Sequence, residues 1–164
     1  MQLRWYQAEA VHSLFHYWTE NTGNPLIALP TGSGKSIVFA AFAWQAKAWY
    51  PATRMLILTH VKELIAQNYS KLVKAWPAAP AGIYSAGIGR KDTRADIIFG
   101  GVQSVVNNVE AFGHIDLVGI DEAHLVSPDD ESRYQATIAR LKAINPKLKV
   151  FGMSATCWRN KQGM

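Results

Sequence analysis

Apolar residues in this chain come in two rhythms that alternate along its length: short unbroken runs, and longer stretches spaced by three and four. Over 3–18, Leu3, Tyr6, Ala10, Leu14 and Tyr17 fall on one face of a helix. Asn21, Thr22, Gly23, Asn24 and Pro25 form a turn cluster that ends it. Residues 26–29 read as a strand. From Ile37 to Trp49 the chain is apolar nearly all round (Ile37, Val38, Phe39, Phe42, Trp44), which predicts a helix covered on more than one side. Pro51 stops it.

The pattern then repeats. Residues 54–59 read as a buried strand. Over 61–76, Leu64, Ile65, Asn68, Leu72 and Val73 share a helical face, with Lys62, Lys71 and Lys74 away from it. Short strands are expected at 81–85 and 96–99, with a basic, glycine-containing loop at 87–94 between them and a helical turn or more over 103–108. Residues 115–120 form another strand. A helix follows from Ser127 or Pro128 through Leu141, with Asp129, Asp130 and Glu131 loading its first turn as the helix dipole favours. Asn145 and Pro146 end it, and 149–153 is the last strand.

Strands alternating with helices predict an α/β fold, a mostly parallel sheet with helices on both faces and right-handed crossovers. Ligands then bind beyond the carboxyl ends of the strands. The segments after 26–29, 115–120 and 149–153 are thereby brought to one edge.

Two of those segments carry recognisable chemistry. The first holds Thr31-Gly32-Ser33-Gly34-Lys35-Ser36 between a strand and a helix. Gly32 and Gly34 let the backbone bend so that its N–H groups surround an anion. Lys35 supplies a positive charge for the β- and γ-phosphates, and Ser36 a hydroxyl for a phosphate-bound Mg²⁺. The helix starting near Lys35 turns its positive end to the same anion. The strict phosphate-loop pattern wants glycine at position 29, where this chain has Leu29. A plain glycine turn is the alternative, but Gly-Lys-Ser at a strand-to-helix junction is much rarer. The second segment opens with Asp121-Glu122. Asp121, ending its strand, suits Mg²⁺, and Glu122 suits the orientation or deprotonation of an attacking water. His124 is a candidate to couple this site to Ser154 or Thr156.

Composition narrows the field modestly. The 164 residues are 49% hydrophobic and 18% charged, which suits one folded domain with its own core. Cys157 is the single cysteine, so neither an internal disulfide nor a cysteine-rich zinc site is expected. This fits a reducing, cytoplasmic setting. The N-terminal residues do not read as a secretory signal, and no apolar run is long enough to span a bilayer, so no membrane is expected. A net charge of +5 favours polyanionic partners, nucleic acid first.

The order of motifs carries a resemblance: Gln7, Thr-Gly-Ser-Gly-Lys-Ser, Thr-His-Val-Lys-Glu-Leu, Val-Gln-Ser-Val, Asp-Glu-Ala-His and Ser-Ala-Thr. It resembles the superfamily 2 DEAD/DEAH-box helicases over nearly the whole chain, and looks most like the bacterial and phage RadD-type DNA helicases. Supporting runs are Leu3 to Gln7, His60 to Asn68 and Phe99 to Val105. The resemblance implies a RecA-like P-loop NTPase domain that binds ATP and Mg²⁺ and acts on nucleic acid, DNA by resemblance alone. By the same resemblance Gln7, with Arg4 nearby, reads adenine. Thr59, His60 and Lys62 lie along a nucleic-acid backbone, and Gln103 and Ser104 form a second backbone contact. Ser154 and Thr156 link the ATP state to nucleic-acid binding.

There are departures. Cys157 stands where the family has proline, followed by Trp158 and Arg159. The sequence given closes at Met164, just past Ser-Ala-Thr, so the expectation is one ATP-binding lobe over 1–164, entered through the helix at about 3–18, with the second lobe absent. The expected function is the ATP-binding lobe of a DNA helicase or translocase. The alternatives are a nucleotide-dependent nucleic-acid-binding module without motor activity, or the motor fragment of a restriction or remodelling complex.

Overall fold

The computed structural model describes residues 3–20, 23, 25–28, 34–122 and 127–154. Seven strands are described: β1 (Leu26–Ala28), β2 (Met55–Thr59), β3 (Ala81–Ser85), β4 (Arg90–Lys91), β5 (Ile97–Gly101), β6 (Leu117–Asp121) and β7 (Lys149–Ser154). They form a single sheet in the order β1-β7-β6-β2-β5-β3-β4. Every pairing is parallel except that of β3 with β4. The helices are α1 (Trp5–Glu20), α2 (Lys35–Trp49), α3 (Lys62–Ala75), α4 (Val102–Val105) and α5 (Pro128–Ile144), with a 3₁₀ turn at Val109–Phe112. The expected α/β class, parallel sheet and helices on both faces are all present.

Side chains alternate across each central strand and so build two cores. Met55, Ile57, Ile97, Phe99, Leu117, Phe151 and Met153 pack with α1, α2 and α3. Leu56, Leu58, Ile98, Val118 and Val150 face the other way, onto α4, the 3₁₀ turn and α5. This is why the central strands read as continuous apolar runs: a parallel sheet covered on both faces has no wet side. α2 is less covered than its all-round apolarity predicts, since Ile37 and Trp44 are 40% and 50% exposed. Its Val38, Phe39, Ala40, Ala41, Phe42 and Ala43 are buried, and Phe15 and Trp18 of α1 pack on Phe42 with tilted rings.

Two local expectations change. The stretch 87–94, read as a loop, contains β4. Ser85 lies opposite Arg90 and Tyr84 opposite Lys91. Asp92 fastens the hairpin, its backbone N–H donating to Ile83 O at 2.9 Å and its carboxylate accepting from Ile83 N at 3.0 Å. Of the helical turn or more expected over 103–108, the structure has one turn, which begins at Val102 and ends at Val105, with Val106 N–H bonded to the Val102 carbonyl.

Parallel pairing aligns the carboxyl ends of six strands along one edge. In spatial order this edge carries the ends of β1, β7, β6, β2, β5 and β3, roughly 4.8 Å apart. Ser154 and Asp121 close β7 and β6; Thr59, Gly101 and Ser85 close β2, β5 and β3.

Candidate functional site

Gly34 begins the site. It has φ +80° and caps α2, its carbonyl accepting from the N–H groups of Ile37 and Val38 at 2.9 and 3.0 Å. A left-handed residue at this point favours glycine. Lys35 is the first residue of α2 and Ser36 the second. Both line a small cavity of about 20 Å³ between α2 and the sheet, walled by Phe39, Phe99 and Phe151 and capped by Asp121. Gly119 in β6 makes that packing possible: a Cβ there would meet Phe151 at 2.8 Å and Ile57 at 2.9 Å.

The ammonium of Lys35 bridges both acids. Nζ donates to Asp121 Oδ1 at 2.7 Å and to Glu122 Oε1. The two acids lie far from Lys35 in sequence and meet it only because β6 ends beside the start of α2. Burial pulls the Lys35 pKa down, but the hydrogen bonds and charges of Asp121 and Glu122 outweigh it and leave the pKa raised. Lys35 is thus a fixed cation in a partly buried setting. Asp121 is itself buried, 5% exposed, and its second oxygen accepts from Asn68 Nδ2 at 2.7 Å. Glu122 has φ 53°, the one positive value among described non-glycine residues. Such a backbone is costly by about 1–2 kcal/mol for a side-chain-bearing residue, and strain of this kind collects at functional sites.

Gln7 reaches the site from α1. Its Oε1 accepts from Arg4 N at 2.9 Å, the reciprocal half of a capping box. The side chain is 4% exposed, and its Nε2 lies so close to Gly34 that a Cβ there would overlap it. Arg4 is exposed, and its guanidinium donates to the Tyr6 hydroxyl at 3.1 Å.

The expected strand-contacting residues gather along the other half of the same edge. Thr59 is buried, and its hydroxyl accepts from Val61 N at 3.2 Å, so it shapes the turn. His60 Nδ1 and the Tyr134 hydroxyl are 3.2 Å apart. Burial raises the Tyr134 pKa, and the charges of Asp130 and Asp121 add to it. Gln103 donates to the His60 carbonyl at 3.3 Å and to Asp130 Oδ1 at 3.1 Å. Ser104 Oγ accepts from Ala86 N at 3.0 Å. The Lys62 stem lies across Gly87, where an added Cβ would be 2.8 Å from Cε. The turns after β2, β3 and β5 therefore interlock into one rim.

Ser154 is buried at the end of β7, between β1 and β6. Thr31, Gly32, Ser33, His124 and Thr156, named as candidates from the sequence, lie outside the described residues, as do Cys157, Trp158 and Arg159. Asn68 was read from the sequence only as part of a helical face. Its signal was there: it is the polar member of the stripe that carries Ile65 and Leu72, both buried. Asp130, read as a dipole-favoured helix residue, contacts the rim directly.

Comparison with known proteins agrees with this geometry. Residues 1–159 match the family model described as type III restriction enzyme, res subunit. The protein IRC3 of Saccharomyces cerevisiae is 28% identical over 163 residues, covering 94% of this chain and 23% of the relative. The ATP-dependent DNA helicase MPH1 of Scheffersomyces stipitis is 30% identical over 138 residues, 75% of this chain and 12% of the relative. The chain therefore spans less than a quarter of these relatives. The crystal structure of the UvsW helicase from bacteriophage T4 superposes with a TM-score of 0.73 at 24% identity, over 96% of this chain and 54% of that one. Phosphate-loop lysine, strand-end Asp-Glu pair and family match converge: this chain belongs to the type III restriction enzyme res subunit family, and is an ATP-binding lobe of the superfamily 2 helicases.

Proposed function

We propose that the chain binds and hydrolyses ATP as one lobe of an ATP-dependent DNA helicase or translocase, with nucleic acid held along the rim from Thr59 to Ser104. One observation carries this: Lys35, at the N-terminus of α2, is held on Asp121 and Glu122, the pair that ends β6. A cation suited to phosphate is thus one hydrogen bond from each of two carboxylates suited to metal and water.

The residues fit Mg²⁺ with ATP. Asp121 is a buried carboxylate already oriented by Asn68, and the Ser36 residue lines the same cavity. These two would hold the ion. Mg²⁺ supplies charge neutralisation at the phosphates. Lys35 exchanges its two carboxylates for phosphate oxygens when ATP binds. That exchange frees Asp121 for its metal role and unmasks Glu122, which then takes the proton of the attacking water. The N-terminus of α2 adds its dipole to the same phosphates. Gln7, whose amide packs on Gly34, would read the adenine with Arg4, as the resemblance implies.

Turnover at full rate calls on a second RecA-like lobe outside these residues, whose arginine contributes roughly 10³–10⁵ in rate in related phosphoryl-transfer systems. DNA as the partner rests on the sequence resemblance and on the name of MPH1. The RadD-type affinity rests on the runs Leu3 to Gln7, His60 to Asn68 and Phe99 to Val105, and a cytoplasmic setting on the lone cysteine. Among the described residues no helix is long and apolar enough to cross a membrane. The family description favours one second reading, the translocating subunit of a restriction complex, which uses the same site. The test is titration of a fluorescent ATP analogue with Mg²⁺ into the chain and into Lys35→Ala. Loss of binding in the variant supports the assignment; unchanged affinity sinks it.

A further inference from the structure

Asp130, in the first turn of α5, is ringed by donors. Oδ1 accepts from Gln103 Nε2 at 3.1 Å and from Arg133 Nη1 at 2.9 Å, and Oδ2 accepts from Ser127 Oγ at 3.0 Å. Gln103 Nε2 has a second acceptor in the His60 carbonyl at 3.3 Å. The amide that the rim offers to a strand is therefore spent twice on the protein's own oxygens. An amide, a guanidinium and a hydroxyl converging on an anionic oxygen pair is the set that proteins use for backbone phosphates.

We propose that Asp130 is an internal stand-in for a nucleic-acid phosphate: its carboxylate occupies Gln103, and a bound strand must displace it. Binding at this point is an exchange of one anion for another, so Asp130 lowers affinity and speeds release. This rests on the reading of Gln103 as a phosphate contact. Helix capping alone does not account for the carboxylate, because the cap proper is Ser127 Oγ accepting from Asp130 N at 3.2 Å. Nor does the ion pair with Arg133 account for it, since that pair leaves no reason for Gln103 to turn inward across two elements.

The test is fluorescence anisotropy of a labelled single-stranded oligothymidine at fixed salt with four proteins: wild type, Asp130→Ala, Gln103→Ala and the double variant. Asp130→Ala should bind about three- to tenfold tighter, the scale of one charge-assisted hydrogen bond at an exposed site. The gain should vanish in the Gln103→Ala background. An equal gain in both backgrounds means that only net charge has changed, and overturns the proposal; so does no gain. If Asp130→Ala folds poorly, Asp130→Asn keeps the shape and should show a smaller gain with the same dependence on Gln103. Gln103→Ala binding as tightly as wild type removes Gln103 from the rim and overturns both readings. Gln103→Ala weakening while Asp130→Ala fails to tighten overturns only the role of Asp130.

Discussion

The amide nitrogen of Gln7 packs directly on Gly34, so α1 is fastened to the residue at which the phosphate loop turns into α2. Two constraints meet there: a left-handed φ of +80° and the absence of room for a Cβ. Gly34→Ala should lose at least about tenfold in nucleotide affinity and cost about 1–3 kcal/mol of stability. Adding Gln7→Ala should restore part of the stability, because it removes the overlap, but not the part owed to φ. Chemical denaturation of wild type and the two variants, with a nucleotide titration, checks both statements.

Asn68 orients Asp121 from α3. Asn68→Ala should weaken Mg²⁺-dependent nucleotide binding about tenfold, the usual scale for a residue supporting a metal ligand. Binding measured with a chelator present should not change. Equal weakening with and without Mg²⁺ would mean that Asn68 supports the fold rather than the metal site.

Glu122 makes two separable predictions. Glu122→Gln should keep nucleotide binding and lose at least about 10²-fold in turnover, assayed with the second lobe present. Glu122→Gly should be more stable than Glu122→Ala by about 1 kcal/mol, since only glycine is relaxed at φ 53°. Equal stabilities would show that the backbone there is not strained.

Lys35 has a signature in alkali. Its folded pKa is raised above the usual 10.5, so its ion pairs stabilise the fold fully below that value. The contribution is lost as pH rises through the folded pKa. Wild type should therefore lose stability relative to Lys35→Met only above about pH 10.5, seen in urea melts run across the alkaline range. A constant difference between the two proteins at all pH values would contradict the assignment.

The elements legible in the sequence were those whose reason is local. The runs of β2, β5, β6 and β7 are apolar because both faces of a parallel sheet are covered, and periodicity sees that directly. Lys35 was legible as the start of the helix after a glycine-rich segment, and Asp121-Glu122 as the acidic pair that closes an apolar strand. What stayed hidden was pairing at a distance. Nothing near Arg90 says that it will lie opposite Ser85, because β4 is two residues of exposed, charged chain. Asn68 showed only as a polar residue on an apolar stripe of α3, and its partner Asp121 ends a strand far away in sequence. The Gln103–Asp130 bond joins a turn to a helix start, and neither local pattern points to the other.

The position of β1 has a consequence for how the site comes into being. This strand leads into the phosphate loop and is made early, yet it sits at the border of the sheet with β7 as its neighbour, Leu26 opposite Gly152 and Ala28 opposite Ser154. Pairings so distant in sequence are slow to form and cannot form before the later partner exists. A nascent chain that has emerged only as far as α5 still lacks β7, the strand with which β1 pairs. The register of the strand that leads into the phosphate loop is therefore set late, by a partner more than a hundred residues further along the chain.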